Sequence, residues 1–221
     1  MERYVLDTET TGLDSKKNEL TEIAIIRCKD LVQKTWNVKI KHPEYCEAKA
    51  LEITKKSAFE LANRGKYIED VIPMVNAFLE EDGTQPKNRL IIAHNYSFDE
   101  RFVSTYWKQN NSEFPAYMWC CTCAMSRKYI KIHDLEKGAK IEDMLIKLGI
   151  KFSSNALHGS TFDTQQTYKL YKKLIELGMN ELEFTKASKS YTESLKQKNG
   201  IEKFSSDDLT SDPAIDEMLS F

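Results

Sequence analysis

Nothing in this 221-residue sequence approaches the ~20 consecutive apolar residues that a helix needs to cross a bilayer, so a membrane span is excluded. A leader is not expected either: Met1-Glu2-Arg3 runs straight into the strand-like Tyr4-Val5-Leu6, which leaves no room for a signal peptide. There are no internal repeats and no low-complexity tracts. An excess of basic charge is also lacking, with 32 Lys and Arg against 34 Asp and Glu, a net charge of −2 and a pI near 6.1. A surface built for tight, static hold on a polyanion is thereby excluded, and any such partner would be met locally and briefly. Cysteines are few and odd in number. Three of the five crowd into "WCCTC", which suits a reducing compartment, the cytoplasm or nucleoid, rather than a disulfide scaffold.

What is present, 41% hydrophobic and 30% charged residues, fits one α/β domain with a sizeable core and a short appendage. Residues 3–9, 20–28 and 31–41 read as strands, the last two joined by a short turn at Lys29-Asp30, so three antiparallel strands open the fold. Val71, Met74, Val75, Phe78 and Leu79 recur at helical spacing, and Pro73 is tolerable there only in the first turn. Residues 81–88 are a loop and 89–94 a compact buried strand. The next helix starts at Ser97, which makes a capping box with Glu100, and carries a stripe of Phe98, Phe102 and Tyr106. A strand and helix follow through "YMWCCTCAMSRKYI", then helices through "IEDMLIKLG" and from about 161 to 178. Strands first, then strand–helix alternation, predicts a mixed sheet flanked by helices. Beyond Gly178, residues 179–200 form a helical extension, with Phe184, Ala187, Tyr191 and Leu195 on one face of a single amphipathic helix. Residues 201–221 form a flexible acidic tail.

The charged positions interrupt this pattern. Asp7 and Glu9 end the first strand two residues apart, hence on one face, where two like charges repel and resist desolvation. Alone they would more often be a capping or salt-bridged pair; a divalent cation is the other way to offset the cost. Asp99 and Asp163 fall in the first turns of two later helices, and four oxygen donors from three distant places suit Mg²⁺ or Mn²⁺. His158, five residues before Asp163, has the chemistry of a general base beside metal-bound water.

"DTETTGL", "HNYSFD" and "HGSTFD", with "LGI" before the third, resemble in order and spacing the three sequence blocks of the DEDDh, or DnaQ-like, 3′–5′ exonucleases. The resemblance covers residues 3 to about 177. It implies an RNase H-like fold, here a five-stranded mixed sheet of three antiparallel and then parallel strands. It also implies two divalent metals held by Asp7, Glu9, Asp99 and Asp163, with Asp7 bridging, and a water activated by His158. A sister subfamily has Tyr four residues before the last Asp, whereas Gly159 stands here, which favours the histidine-dependent chemistry. Many relatives carry Ala where Ser160 and Thr164 stand. The implied reaction removes nucleoside 5′-monophosphates from a 3′ end, on single-stranded or frayed DNA first and RNA second, as in polymerase proofreading. Thr8, Thr10, Gly12 and Leu13 would meet the terminal nucleotide, with Leu13 wedged against the last base and Gly12 permitting close approach.

Other residues carry more ordinary readings. Phe98 or Phe102 could stack on a base, though helical spacing favours the core. His94 and Asn95 tie the loop to the strand end, and Asn95 borders the substrate path. Cys120-x-x-Cys123 with His133 offers three zinc ligands where a structural site wants four, so free thiols are expected. The basic residues Lys55, Lys56, Arg127, Lys128 and Lys131 could steer a phosphate but fit a solvated face.

The closing "DEMLSF" partly resembles the terminal peptide with which bacterial replication proteins bind the sliding clamp, with Leu219 and Phe221 as its anchors and Asp216 where Gln is usual. An ordinary frayed terminus is the commoner meaning of such an end; if it binds, a polymerase or clamp is the expected protein partner. The alternative is a non-catalytic module that binds a nucleic-acid end or a replication partner with the same fold.

Overall fold

The computed structural model describes residues 1–152 and 159–199. Its centre is a mixed sheet in the order β3-β2-β1-β4-β5-β6. Strands β1 (Glu2–Thr10), β2 (Leu20–Arg27) and β3 (Gln33–Asn37) are antiparallel neighbours, as the sequence predicts. Leu31, at φ +60°, and the Arg27 N–H to Val32 carbonyl bond of 2.9 Å close the β2–β3 turn. On the other side of β1, β4 (Arg89–Ala93) and β5 (Met118–Cys121) run parallel to it. The helices are α1 (Ala48–Thr54), α2 (Ala58–Asn63), α3 (Ile68–Glu80), α4 (Ser97–Gln109), α5 (Thr122–Ile132), α6 (Ile141–Lys147), α7 (Ser160–Glu176) and α8 (Lys189–Asn199).

The period-two alternation of β1 divides the core. Tyr4 and Leu6 pack with Val71, Val75 and Phe78 of α3 and Phe102 and Trp107 of α4, whereas Val5 packs with Met125 of α5, Met144 of α6 and Leu170 and Leu174 of α7. The sheet is therefore covered on both faces. At its lower edge the buried Arg89 guanidinium grips Asp82 through Nε to Oδ2 at 2.8 Å and Nη2 to Oδ1 at 2.6 Å, and Tyr4 Oη donates to the same carboxylate at 2.8 Å. Such a bidentate pair keeps a buried charge compensated.

Four expectations are corrected. The sheet has six strands rather than five, because residues 179–199 are not one helix: a 3-10 turn at Glu181–Phe184 leads into β6 (Thr185–Ala187), antiparallel to β5, before α8 begins. The unpaired edge of β5 outcompetes helical periodicity there, and Phe184 and Ala187 pack into the core through the turn and strand. Pro73 lies in the second turn of α3, since the buried Ile68 extends that helix toward its start. Pro73 and Glu69 are both exposed, so the carbonyl that loses its N–H partner is not left in the core. The capping box at Ser97 does not form, because Tyr96 is already helical and Asn95, at φ +69°, makes the turn. Glu100 is instead buried, accepting from Ser104 Oγ at 3.2 Å and from the Lys189 N–H at the start of α8 at 3.1 Å. Helices α1 and α2 escape the reading by spacing altogether. Among the described residues no helix is long and apolar enough to cross a membrane.

Candidate active site

The pleat that buries Val5 turns Asp7 and Glu9 to the same face, toward α7, and the first turn of α7 presents Asp163 to them. Carboxylate oxygens of Asp7, Glu9 and Asp163 lie within 4.8 Å of one another. Thr8 points to the opposite face, toward α4. There its N–H and Oγ1 both donate to Asp99 Oδ1, at 3.0 and 2.8 Å, so Asp99 is held at the end of β1 from the other layer. The structure thus brings three of the expected carboxylates into one close group and sets the fourth, outside that group, on the neighbouring residue.

The electrostatics follow from burial and crowding. Burial, then the charges of Asp99 and Glu9, push the Asp7 carboxyl well above the usual range. Glu9 is pushed up to about 7, first by burial and then by Asp163 and Glu22, with Lys56 pulling it down. Asp99 is pushed up to about 7 by burial, against the two bonds from Thr8. Carboxylates so placed resist ionising together without a counter-charge, and their donors are all hard oxygens. The residues present therefore fit a divalent cation.

The other expected positions fare differently. Leu13 is 69% exposed, with its carbonyl accepting from Arg101 Nη2 at 3.1 Å. Thr10 Oγ1 donates to the Gly12 carbonyl at 2.6 Å, shaping that loop. A Cβ at Gly12 would sit 2.4 Å from Glu47 Oε1 and 2.5 Å from the buried Asn18 amide, so packing around the loop also calls for glycine there. Asn95 is exposed at its strained turn, and Phe98 is half-buried, its ring 5.0 Å from that of the buried Phe102. His94 ties loop to helix through Nδ1 and Thr122 Oγ1 at 3.0 Å, and burial lowers it to about 4. His158 lies outside the described residues, as do Leu219, Phe221 and the rest of the tail. All five cysteines are free; Cys120 is buried against Met125, and burial pushes its thiol up to about 12. His133 lies tilted against Tyr129, the ring centroids 4.3 Å apart. Lys128 pairs with Glu183.

Glu22 was not legible as a site residue. It stands opposite Glu9 in the β1–β2 register, buried, with Oε1 accepting from Ser160 Oγ at 2.6 Å and Oε2 from Lys56 Nζ at 2.8 Å. Burial alone would raise it, but these two bonds hold it below the usual carboxylate range. Its signal in the sequence is a single charge inside the apolar run "LTEIAII".

The chain matches the family described as Exonuclease over residues 4–171. It is 28% identical over 185 residues to a DNA polymerase III PolC-type of Thermotoga petrophila, covering 83% of this chain but only 12% of that one. A ribonuclease T of Buchnera aphidicola subsp. Baizongia pistaciae is 26% identical over 77% of this chain and 82% of its own. Among solved structures, exonuclease X in complex with 5′ overhanging duplex DNA superposes with a TM-score of 0.60 at 20% identity, covering 82% of this chain and 96% of that one. The fold is RNase H-like, and the chain belongs to the exonuclease family.

Proposed function

We propose that the chain is a metal-dependent 3′–5′ exonuclease acting on single-stranded or frayed DNA, with RNA as the second substrate, and releasing nucleoside 5′-monophosphates. The observation that carries this reading is the meeting of Asp7, Glu9 and Asp163 within 4.8 Å, with Asp99 tied to the adjoining Thr8. These four residues would hold two ions, Mg²⁺ or Mn²⁺, which when bound acidify a water and offset charge on the phosphate and the leaving 3′-oxygen. Asp7, whose carboxyl feels the charges of Asp99, Glu9 and Asp163 alike, would serve both. Thr8 fixes the Asp99 carboxylate by two donors to one oxygen, leaving the other oxygen for a cation. Leu13 offers an exposed apolar side chain to the terminal base, and Arg101 steadies its backbone. Thr10 and Gly12 shape the loop under it, while Asn95 and Phe98 border the strand's path. To His158 we assign the proton taken from the attacking water.

The PolC-type relative, of which this chain matches 12%, supports association with a polymerase, and Leu219 and Phe221 are the anchors we assign to a clamp. Five free thiols suit a reducing compartment inside the cell. We assign the exonuclease domain to residues 1–178, followed by the extension and the tail.

The test is product release from 3′-labelled and 5′-labelled DNA and RNA of one sequence, in Mg²⁺, Mn²⁺ or EDTA, beside His158→Ala. Mononucleotide loss from the 3′ end that requires metal and His158 is expected. Retention of both polymers intact at every metal concentration would leave the binding-module reading in its place.

A further inference from the structure

Helix α7 starts at Gly159 without a side-chain cap, and its first turns are held from the sheet instead. Ser160, fully buried, donates to Glu22 on β2. On the edge strand β3, Gln33 Nε2 donates to the Thr161 carbonyl at 2.7 Å and to Thr164 Oγ1 at 3.1 Å, and Gln33 Oε1 accepts from Gln165 Nε2 at 2.7 Å. The Thr35 and Thr161 hydroxyls share a bond of 2.8 Å. Asp163 lies on the stretch these bonds fix.

This clasp is costly unless something depends on it. Glu22 adds a fifth carboxylate beside four others, and its charge needs Lys56 to offset it. An apolar seat between β2 and α7 would hold the helix without that burden, but apolar contacts are non-directional, whereas bonds to Glu22 and Gln33 fix both height and rotation. We propose that Glu22 and Gln33 are positioning residues: through Ser160, Thr161 and Thr164 they seat the start of α7 and so set the approach of Asp163 to Asp7 and Glu9. The inference rests on the reading of those three carboxylates as metal ligands. Outer partners of metal sites typically cost about 10–100-fold in affinity when removed.

The test uses the full chain, Mn²⁺ alone as probe, calorimetry without nucleic acid, and thermal unfolding in EDTA. Ser160→Ala is expected to weaken Mn²⁺ binding by about tenfold, and Gln33→Ala, at the exposed edge, by about threefold. The Mg²⁺ concentration for half-maximal activity should rise by the same factors, with activity recovered at saturating Mg²⁺. Should Ser160→Ala fail to fold, Gln33→Ala decides. Wild-type Mn²⁺ affinity in the variants would overturn the proposal even if they melt earlier, since a merely structural role moves only the melting temperature. Failure of the wild type to bind Mn²⁺, or equal binding by Asp163→Asn, would instead sink the metal reading beneath it.

Discussion

At the scale of single residues, the site opposes the stability of the chain that carries it. Asp7, Glu9 and Asp163 repel across a partly desolvated space. Asp7→Asn should therefore raise the metal-free melting temperature by about 3–10 °C, taking 1–3 kcal/mol of relieved repulsion. The same change should lower nuclease activity by about 10³-fold or more, the order of loss seen when transition-state charge stabilisation is removed. Unfolding in EDTA and a labelled-DNA assay check the pair of effects. The pH dependence has a definite sign. Glu9 and Asp99 titrate near 7 in the folded chain and near 4 when unfolded, so the unfolded state loses its protons first as pH rises. Metal-free stability is then lost between about pH 4 and 7 and levels off above. His94 acts oppositely, costing stability as pH falls from its ordinary 6.5 toward 4, but equally with and without metal. The rise in melting temperature on adding Mn²⁺ should thus be larger at pH 8 than at pH 5; an equal rise at both would contradict the assignment. Asp7 and Glu9 were picked out as charges ending an apolar strand, and Asp99 and Asp163 as acids in helix first turns that the resemblance to the three motif blocks joined to them. Glu22, Lys56 and Gln33 were not, because their meaning lies in cross-strand and helix–sheet pairing that no spacing along the chain encodes.

At the scale of elements, one local signature has two outcomes. Ser57-x-x-Glu60 forms a capping box at α2, with the Ser57 N–H to Glu60 Oε2 at 2.9 Å and the Glu60 N–H to Ser57 Oγ at 3.2 Å. Ser97-x-x-Glu100 does not, because tertiary packing takes Glu100 to the start of α8. Ser57→Ala should cost about 0.5–2 kcal/mol and Ser97→Ala less than about 0.5 kcal/mol in urea unfolding. A larger loss at Ser97 would show that the cap operates in solution after all. The compact buried strand β4 and the long helix α7 were read correctly from the sequence because burial and propensity agree in them. The segment from Phe184 to Leu195 was misread because spacing alone cannot tell a helix from a strand and helix in series when both bury the same apolar side chains.

At the scale of the whole molecule, two covered faces and a sheet edge determine what can be removed. The three antiparallel strands and the later parallel pair were foreseeable from the order of elements, and the sixth strand was not, since it depends on an edge vacant in three dimensions. Glu181, just before β6, also pairs with Arg3 of β1 and accepts from Tyr171 of α7, so this last piece is fastened to the first. Strand β6 is therefore expected to protect this edge from association. A chain cut after Gly178 would bare the backbone of β5, an invitation to strand exchange with its copies, while one cut after Lys189 would keep that edge covered. Light scattering should find the shorter chain self-associating and the longer one monodisperse. On that outcome the domain assigned to residues 1–178 would need about ten residues more, through β6, to keep neighbouring molecules from joining its sheet.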